Sequence, residues 1–120
     1  FWFAILGLHK LGAIAIPATN QLMEHEFVYR FQAAQVSAVV CTADGNTAQQ
    51  IELAEKAAGM HLTKILVGGS RENWHDYNEE YKLFSRRYER TEDAPCGNDP
   101  MLMLFTSGTT GYPKIDEHSY

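Results

Sequence analysis

The sequence predicts an α/β fold with a mostly parallel sheet and flanking helices. Short runs rich in valine, leucine and isoleucine alternate along the chain with stretches whose apolar residues recur at three- and four-residue spacing. Turns that contain glycine or asparagine separate most of these runs. Strands that alternate with helices favour a parallel sheet built from right-handed crossovers. A length of 120 residues fits one unit, so we expect a single partial domain over residues 1–120.

The first third of the chain predicts two helices and two strands. Residues 1–11 are apolar nearly all round, which indicates a buried helix, and Gly12 supplies its end. Residues 13–17 follow as a short buried strand that ends at a proline. In residues 24–35 the apolar side chains recur at helical spacing, and the valine-rich residues 37–42 predict the second strand.

The middle of the chain continues the alternation. Asn46 is a good helix N-cap with Gln49 three residues later, and the helix that follows is expected to stop at Gly59. Residues 64–67 predict a third strand. Residues 73–87 predict a further helix, because four aromatic residues recur there at three- and four-residue spacing. These four are Trp74, Tyr77, Tyr81 and Phe84, and we interpret them as core residues rather than as an aromatic binding face.

The last third predicts a surface connection, a strand and a polar loop. Residues 89–100 are polar and turn-forming, residues 101–105 form an apolar strand, and the strand leads directly into residues 106–114. Ligands of open α/β sheets bind beyond the carboxyl ends of strands, which is the position of this loop.

Composition and charge exclude several classes of function. A formal net charge of -5 argues against general nucleic-acid binding, which needs a basic surface. Cys41 and Cys96 have no metal-binding spacing and are interpreted as reduced thiols of an intracellular protein, which we place in the cytoplasm. The five histidines show no HExxH-type pairing, so no metal ligands are predicted. The apolar start is too short for a membrane span and lacks the basic start of a signal peptide.

The loop over residues 106–114 has the composition of a polyphosphate site. Its two glycines permit backbone conformations in which successive N–H groups point at one anion. Its hydroxyl groups donate hydrogen bonds without adding negative charge, and its terminal lysine adds a mobile positive charge. The predicted nucleotide-binding residues are Thr106, Ser107, Gly108, Thr109, Thr110, Gly111 and Lys114.

The spacing excludes the common nucleotide loops. A Walker A loop has four residues between its glycines and then Lys followed by Ser or Thr, whereas two residues separate Gly108 from Gly111 and Ile115 follows Lys114. The G-x-G-x-x-G fingerprint of dinucleotide-binding folds is also absent.

The string from Phe105 to Lys114 resembles the phosphate loop of the adenylate-forming superfamily. That superfamily includes acyl-CoA synthetases, luciferases and the adenylation domains of peptide synthetases. Their loop follows the pattern aromatic-Thr-Ser-Gly-Ser/Thr-Thr-Gly-x-Pro-Lys, and the chain matches it at every fixed position. In many members of the superfamily, Gly and Val follow the loop lysine, whereas here Ile115 and Asp116 follow Lys114. The continuation through Glu117, His118, Ser119 and Tyr120 resembles the medium-chain acyl-CoA synthetases.

The resemblance implies a fold, a reaction and a set of cofactors. The chain would be part of the large N-terminal domain of an enzyme that uses ATP, Mg²⁺ and CoA. Such an enzyme activates a carboxylic acid, here a fatty acid, to an acyl-adenylate and then transfers the acyl group to CoA. The loop residues would clasp the β- and γ-phosphates. His118 could line the site, although a packed or solvated histidine explains it equally well.

The chain is interpreted as a piece of a longer protein, because it begins inside a helical pattern and stops just past the loop. The catalytic lysine, the magnesium-binding glutamate and the adenine-binding motifs of the superfamily lie downstream of the loop. We therefore expect no catalytic residue among the 120 and no adenylation by these residues alone. The alternatives are a non-catalytic nucleotide-binding or interaction module, and a structural domain whose loop binds nothing. Oligomeric state and acyl-chain length stay open.

Two charged groups have plain structural interpretations. Glu24, His25 and Glu26 are adjacent on a helix and point in different directions, so a solvated helix start is favoured over a metal cluster. The arginines at positions 86, 87 and 90 are interpreted as a solvated helix end rather than as a phosphate site.

Overall fold

The computed structural model describes residues 1–106 and 113–120. The described residues form two compact units. Unit 1 comprises residues 1–18 and 87–120, and unit 2 comprises the continuous stretch 19–86. The α/β class predicted from the sequence is confirmed, and the single partial domain over residues 1–120 stays a prediction.

Unit 2 is a small α/β layer around a parallel sheet. Its strands are β1 (Ala38–Thr42), β2 (Thr63–Val67) and β3 (His75–Asp76), hydrogen-bonded in that order. Both pairings are parallel, with Ala38 opposite Thr63 and Ile65 opposite His75. The helices of this unit are α2 (Glu24–Ala33), α3 (Thr47–Ala58) and the single turn α4 (Tyr77–Glu80), which continues as a 3₁₀ turn over Tyr81–Leu83.

The core of unit 2 lies where α2 and α3 cover the sheet. Its helix residues recur at the spacing predicted from the sequence, and β2 contributes the alternating residues that point into the core. The buried apolar residues of the cluster are Leu22, Phe27, Phe31, Ala48, Ile51, Ala54, Leu62, Leu66 and Trp74. Apolar burial of this kind is the main favourable term for a unit of this size.

The predicted end of α3 is confirmed at its C-terminus, whereas the predicted capping side chain at its N-terminus is not. Helix α3 ends at Gly59, whose φ of 65° is the left-handed conformation expected of a glycine C-cap. Asn46 precedes α3, but its side chain accepts no capping hydrogen bond, so the predicted role of that side chain is wrong. At the start of α2, the Glu26 carboxylate accepts the Met23 N–H at 2.9 Å; His25 is exposed, whereas Glu24 and Glu26 are half-buried, so the predicted solvated start is only partly solvated.

The predicted helix over residues 73–87 is wrong. Trp74 is buried, but the stretch then forms the two-residue strand β3 and the short turns α4 and 3₁₀. Tyr81 and Phe84 are 54% and 72% exposed, so only part of the aromatic stripe belongs to the core. Parallel pairing of β3 with β2 satisfies backbone groups that the helical alternative would pair internally, and aromatic spacing alone does not distinguish the two. The arginines at 86, 87 and 90 are exposed but do not lie at a helix end.

Unit 1 contains a helix and a two-stranded antiparallel sheet. Helix α1 (Trp2–Leu11) ends at Gly12, as predicted. The strands are β4 (Pro100–Thr106) and β5 (Lys114–Ser119). The predicted strand over residues 13–17 is reduced to one parallel bridge between Ala15 and Leu102. Residues between 89 and 99 form no helix or strand, which confirms the predicted connection.

The predicted burial of α1 is wrong for this chain. The helix has no buried residue, and Phe1, Trp2 and Phe3 are each more than 70% exposed. The apolar composition of α1 favours its burial, but the described residues pack against only part of the surface of this helix. None of the helices in residues 1–106 and 113–120 has the length and apolar character that crossing a bilayer requires.

Candidate functional site

The candidate loop joins the two strands of an antiparallel hairpin. Strand β4 carries Leu104 opposite Asp116 and Phe105 opposite Ile115, and the pairing continues to Thr106 opposite Lys114. Predicted site residues Ser107, Gly108, Thr109, Thr110 and Gly111 lie outside the described residues. The sequence predicted the strand that enters the loop but not the strand that leaves it.

Thr106 and Lys114, the first and last predicted site residues, are brought together as the final pair of the hairpin. The Thr106 hydroxyl donates a hydrogen bond to the Lys114 carbonyl oxygen at 3.4 Å. Both side chains are exposed. The two ends of the loop are therefore held at neighbouring points, with a cation and a hydroxyl at the same end of the sheet, which suits an anionic ligand.

A contact between a histidine and an aspartate lies on the same strand as Lys114. Side chains two residues apart along a strand share a face, which places Lys114, Asp116 and His118 on one side of β5. His118 Nε2 lies 3.5 Å from Asp116 Oδ2, and both side chains are about half exposed. This arrangement agrees with the solvated interpretation of His118. The sequence of β5 has a single apolar residue, Ile115, and so lacks the alternation that would identify a strand.

The base of the hairpin is bonded to the segment that follows α1. Ala15 is 1% exposed; its N–H donates to the Met101 carbonyl at 3.1 Å, and its carbonyl accepts the Met103 N–H at 2.9 Å. Strand β4 thus has backbone partners on both sides, Ala15 on one and β5 on the other. Sequence reasoning missed this contact because it joins residues from the two ends of the chain.

The described residues offer no cluster that would hold a metal ion by itself. Groups of three or more His, Cys, Asp or Glu side chains do not occur within residues 1–106 and 113–120. Asp116 already pairs with His118 and shares a face with a lysine, and Glu117, the other carboxylate of β5, lies on the opposite face of the strand. Magnesium prefers several oxygen ligands in octahedral geometry, so these residues alone do not fit a Mg²⁺ site.

Comparison with known proteins identifies the family. The family model described as "AMP-binding enzyme" matches residues 1–119. The chain belongs to the AMP-binding enzyme family. The match covers both units as well as the hairpin, so the resemblance predicted from the loop is confirmed over the whole chain.

Relatives within the AMP-binding family include acyl-CoA synthetases. The chain is 34% identical over 121 residues to the Homo sapiens acyl-coenzyme A synthetase ACSM1, mitochondrial, covering 100% of this chain and 20% of that protein. It is 26% identical to a solved acyl-CoA synthetase from Brucella canis, with a TM-score of 0.72 and coverage of 96% of this chain and 20% of that one. The chain thus spans about a fifth of the length of the relatives that it matches.

A third comparison supports the fold. The crystal structure of the anthranilate CoA ligase AuaEII in complex with anthranoyl-AMP aligns with a TM-score of 0.83 at 23% identity. The alignment covers 97% of this chain and 22% of that one. The fold of this chain is therefore similar to that of the matched part of this ligase.

Proposed function

We propose that the protein containing this chain is an AMP-forming acid–thiol ligase that activates a carboxylic acid with ATP and transfers the acyl group to CoA. Membership of the AMP-binding enzyme family and relatives named acyl-coenzyme A synthetases support this proposal. The observation that carries it is the complete match of Phe105 to Lys114 to the superfamily's phosphate loop, mounted on a hairpin that holds the ends of the loop together.

The reaction is proposed to run in two steps. A carboxylate oxygen attacks the α-phosphorus of ATP, the bond from that phosphorus to the bridging oxygen breaks, and pyrophosphate leaves. The CoA thiol, losing its proton, then attacks the acyl carbonyl carbon, and the carbon–oxygen bond to AMP breaks. The first step is needed because a carboxylate resists nucleophilic attack until its oxygen becomes part of a good leaving group.

The loop is proposed to stabilise the departing pyrophosphate. Backbone N–H groups and the hydroxyls of Ser107, Thr109 and Thr110 would donate to the β- and γ-phosphate oxygens. Gly108 and Gly111 would let the backbone approach the phosphates closely, and Lys114 would add a positive charge. Thr106 belongs to the same proposed set. Support comes from the described end of the hairpin, where Lys114 is exposed and pairs across the strands with Thr106.

The substrate, metal and location are parts of the same proposal. We propose a fatty acid as the acid, on the resemblance to medium-chain acyl-CoA synthetases, and Mg²⁺ as the ion that accompanies ATP. No nucleic acid is proposed as a partner, since the net charge is -5. The cytoplasmic location stays a proposal, and the relative ACSM1 is named as a mitochondrial protein, so subcellular fractionation would distinguish the two compartments.

The 120 residues alone are proposed to be inactive, because they correspond to about a fifth of the relatives. ATP–pyrophosphate exchange by the isolated chain with any carboxylate would contradict this. Both units are proposed to belong to one N-terminal domain.

The test of the loop uses the full-length protein and isotope exchange between ATP and pyrophosphate in the presence of fatty acids. Replacing Thr109, Thr110 and Lys114 together by alanine should lower exchange at least about a hundredfold, as expected when phosphate-binding donors are lost. The matched control is Lys82→Ala, an exposed lysine of unit 2, which should exchange at the wild-type rate.

Each outcome decides between the proposals. Undiminished exchange by the triple variant would remove the role of the loop. A wild-type protein that binds ATP but exchanges no pyrophosphate with any acid would favour the non-catalytic nucleotide-binding module.

A further inference from the structure

Two tyrosine hydroxyls bind the last carbonyl groups of α1. The Tyr120 hydroxyl donates to the His9 carbonyl oxygen at 2.9 Å, and the Tyr88 hydroxyl donates to the Lys10 carbonyl oxygen. Carbonyls in the last turn of a helix lack partners within the helix and need donors from elsewhere. The Gly12 N–H also donates to the His9 carbonyl, at 3.1 Å, so Tyr120 supplies a second donor to that carbonyl and Tyr88 a donor to the next one, both from distant parts of the chain.

The two tyrosines differ in what they connect to α1. Tyr88 belongs to the irregular connection that precedes β4. Tyr120 directly follows β5, and its N–H donates to the Asp99 carbonyl at 3.2 Å, one hydrogen bond beyond the pair of Pro100 and Ser119. Tyr120 is therefore part of the hairpin ladder, whereas Tyr88 is not.

The Tyr120 side chain also packs against the residue whose carbonyl it binds. Its ring meets the His9 ring edge to face, with 5.5 Å between centroids and 69° between planes. This geometry is a favourable aromatic arrangement. The ring contact and the hydroxyl hydrogen bond together hold the C-terminal end of β5 against the C-terminal end of α1.

Both strands of the hairpin are thus fixed at the base. Ala15 binds β4 through two backbone hydrogen bonds, and Tyr120 fastens the end of β5 to His9. Thr106 and Lys114 stand at the other end of the same two strands. The pairing has an irregularity between Pro100 and Leu102 and then runs from Leu102 opposite His118 to Thr106 opposite Lys114, so a displacement at the base is carried along the paired strands to the loop end.

We infer that Tyr120 is a positioning residue for the phosphate loop: its hydroxyl, bound to the end of α1, sets where the hairpin carries the loop. This inference rests on the proposed function of the loop. On this inference Tyr120 acts on the loop through the hairpin and not through a contact of its own with the phosphates. Displacement of a binding group from its productive position lowers the rate of the chemical step even when the mutation is far from the reacting atoms.

The experiment compares Tyr120→Phe with Tyr88→Phe in the full-length protein. Each change removes one hydroxyl that binds a carbonyl at the end of α1 and keeps the aromatic ring, including the ring contact with His9 in the first case and with the Lys10 ammonium in the second. The measurements are the thermal unfolding midpoint, kcat and KM for ATP in pyrophosphate exchange, and backbone hydrogen exchange of the hairpin peptides.

Similar small losses of thermal stability are expected for the two variants. Tyr120→Phe should in addition lower kcat/KM for ATP about fivefold, the factor that one ordinary hydrogen bond represents, and should speed hydrogen exchange in β4 and β5. Tyr88→Phe should leave both at the wild-type level. Equal kinetics and equal hairpin exchange in the two variants would overturn the inference and assign both tyrosines a purely structural role.

Failure of the proposed function gives a different result. A wild-type protein without pyrophosphate exchange refutes the ligase reaction. In that protein the hydrogen-exchange comparison alone decides the inference: faster exchange confined to Tyr120→Phe supports an anchoring role, and equal exchange overturns it.

Discussion

The ammonium group of Lys64 lies 2.9 Å from both carboxylate oxygens of Glu55, joining β2 to α3. The lysine is only 6% exposed. One of the same oxygens accepts the Leu62 N–H at 2.7 Å, so this carboxylate also satisfies the backbone ahead of β2. A buried cation without such a partner would carry a large desolvation cost.

Glu55→Gln is expected to destabilise unit 2 by about 3 kcal/mol at pH 7, because Lys64 would stay buried without a counter-charge. Lys64→Met should cost less, since the remaining carboxylate keeps the Leu62 N–H and some contact with water. Denaturant unfolding followed by the fluorescence of the buried Trp74 measures both. The double variant should be more stable than the sum of the single losses predicts. Strict additivity would show that the pair is not coupled.

The same pair should make stability depend on acid. Burial opposes ionisation of Glu55, but hydrogen bonds from Lys64 and Leu62 and the positive charges of Lys64 and His61 together lower its pKa below the usual 4.5. A carboxyl group whose pKa is lowered by folding stabilises the fold above its unfolded pKa, and this stabilisation is lost as pH falls through the folded value. Unfolding free energy should therefore decline below about pH 4.5, and Glu55→Gln should flatten that decline.

Gly69→Ala is expected to destabilise unit 2 by about 1–3 kcal/mol, the range for overpacking. A Cβ atom at Gly69 would lie 2.7 Å from the Cβ of Ala43. Ala43 cannot withdraw easily, because its N–H donates to the Val67 carbonyl at 2.9 Å. Urea unfolding gives the free energy, and a wild-type midpoint would contradict the predicted clash.

The matched control for that substitution is Gly7→Ala. Gly7 lies inside α1, and a Cβ there would meet nothing within 4 Å. The change should stabilise the helix by about 0.5–1 kcal/mol through the higher helix propensity of alanine. Opposite signs for the two substitutions would separate steric clash from backbone entropy.

The two thiols are expected to differ in reactivity. Burial raises the pKa of Cys41 to about 11, against the lowering effect of Arg71 and with a small further rise from Asp44. At pH 8 its thiolate fraction is then about a hundredfold below that of a thiol with the usual value of 9.0. Iodoacetamide should modify the exposed Cys96 first and Cys41 far more slowly. In denaturant the two rates should converge, and equal rates in the folded chain would contradict the prediction.

The sequence predicted the elements whose signals are local. Helices α2 and α3, strands β1, β2 and β4, and the left-handed glycines at 12 and 59 follow from periodicity and from turn chemistry within a few residues. The loop pattern from Phe105 to Lys114 was informative for the same reason, since the whole motif is contiguous.

What the sequence did not predict depends on distant partners. Pairing with β2 converts His75 and Asp76 into a strand, although the aromatic spacing around them favoured a helix. The polar sequence from Lys114 to Ser119 predicts no strand, and these residues form one because they pair with β4. The Tyr120–His9 bond joins opposite ends of the sequence, and no periodicity indicates such a contact. The exposure of α1 also depends on which residues surround the helix. Its composition shows only that its apolar side chains are suited to burial.

The backbone bonds of Ala15 have a consequence for the order of folding during synthesis. Residues 19–86 are contiguous, and the described contacts of unit 2 lie within them. That unit can close while later codons are still being read, at about 5–20 residues per second. Ala15 can form its two backbone hydrogen bonds only after Met101 and Met103 have been synthesised, so the segment that follows α1 is anchored only then. The apolar helix α1 is therefore synthesised before unit 2 and anchored after it, so a nascent-chain chaperone would meet this helix before it is anchored.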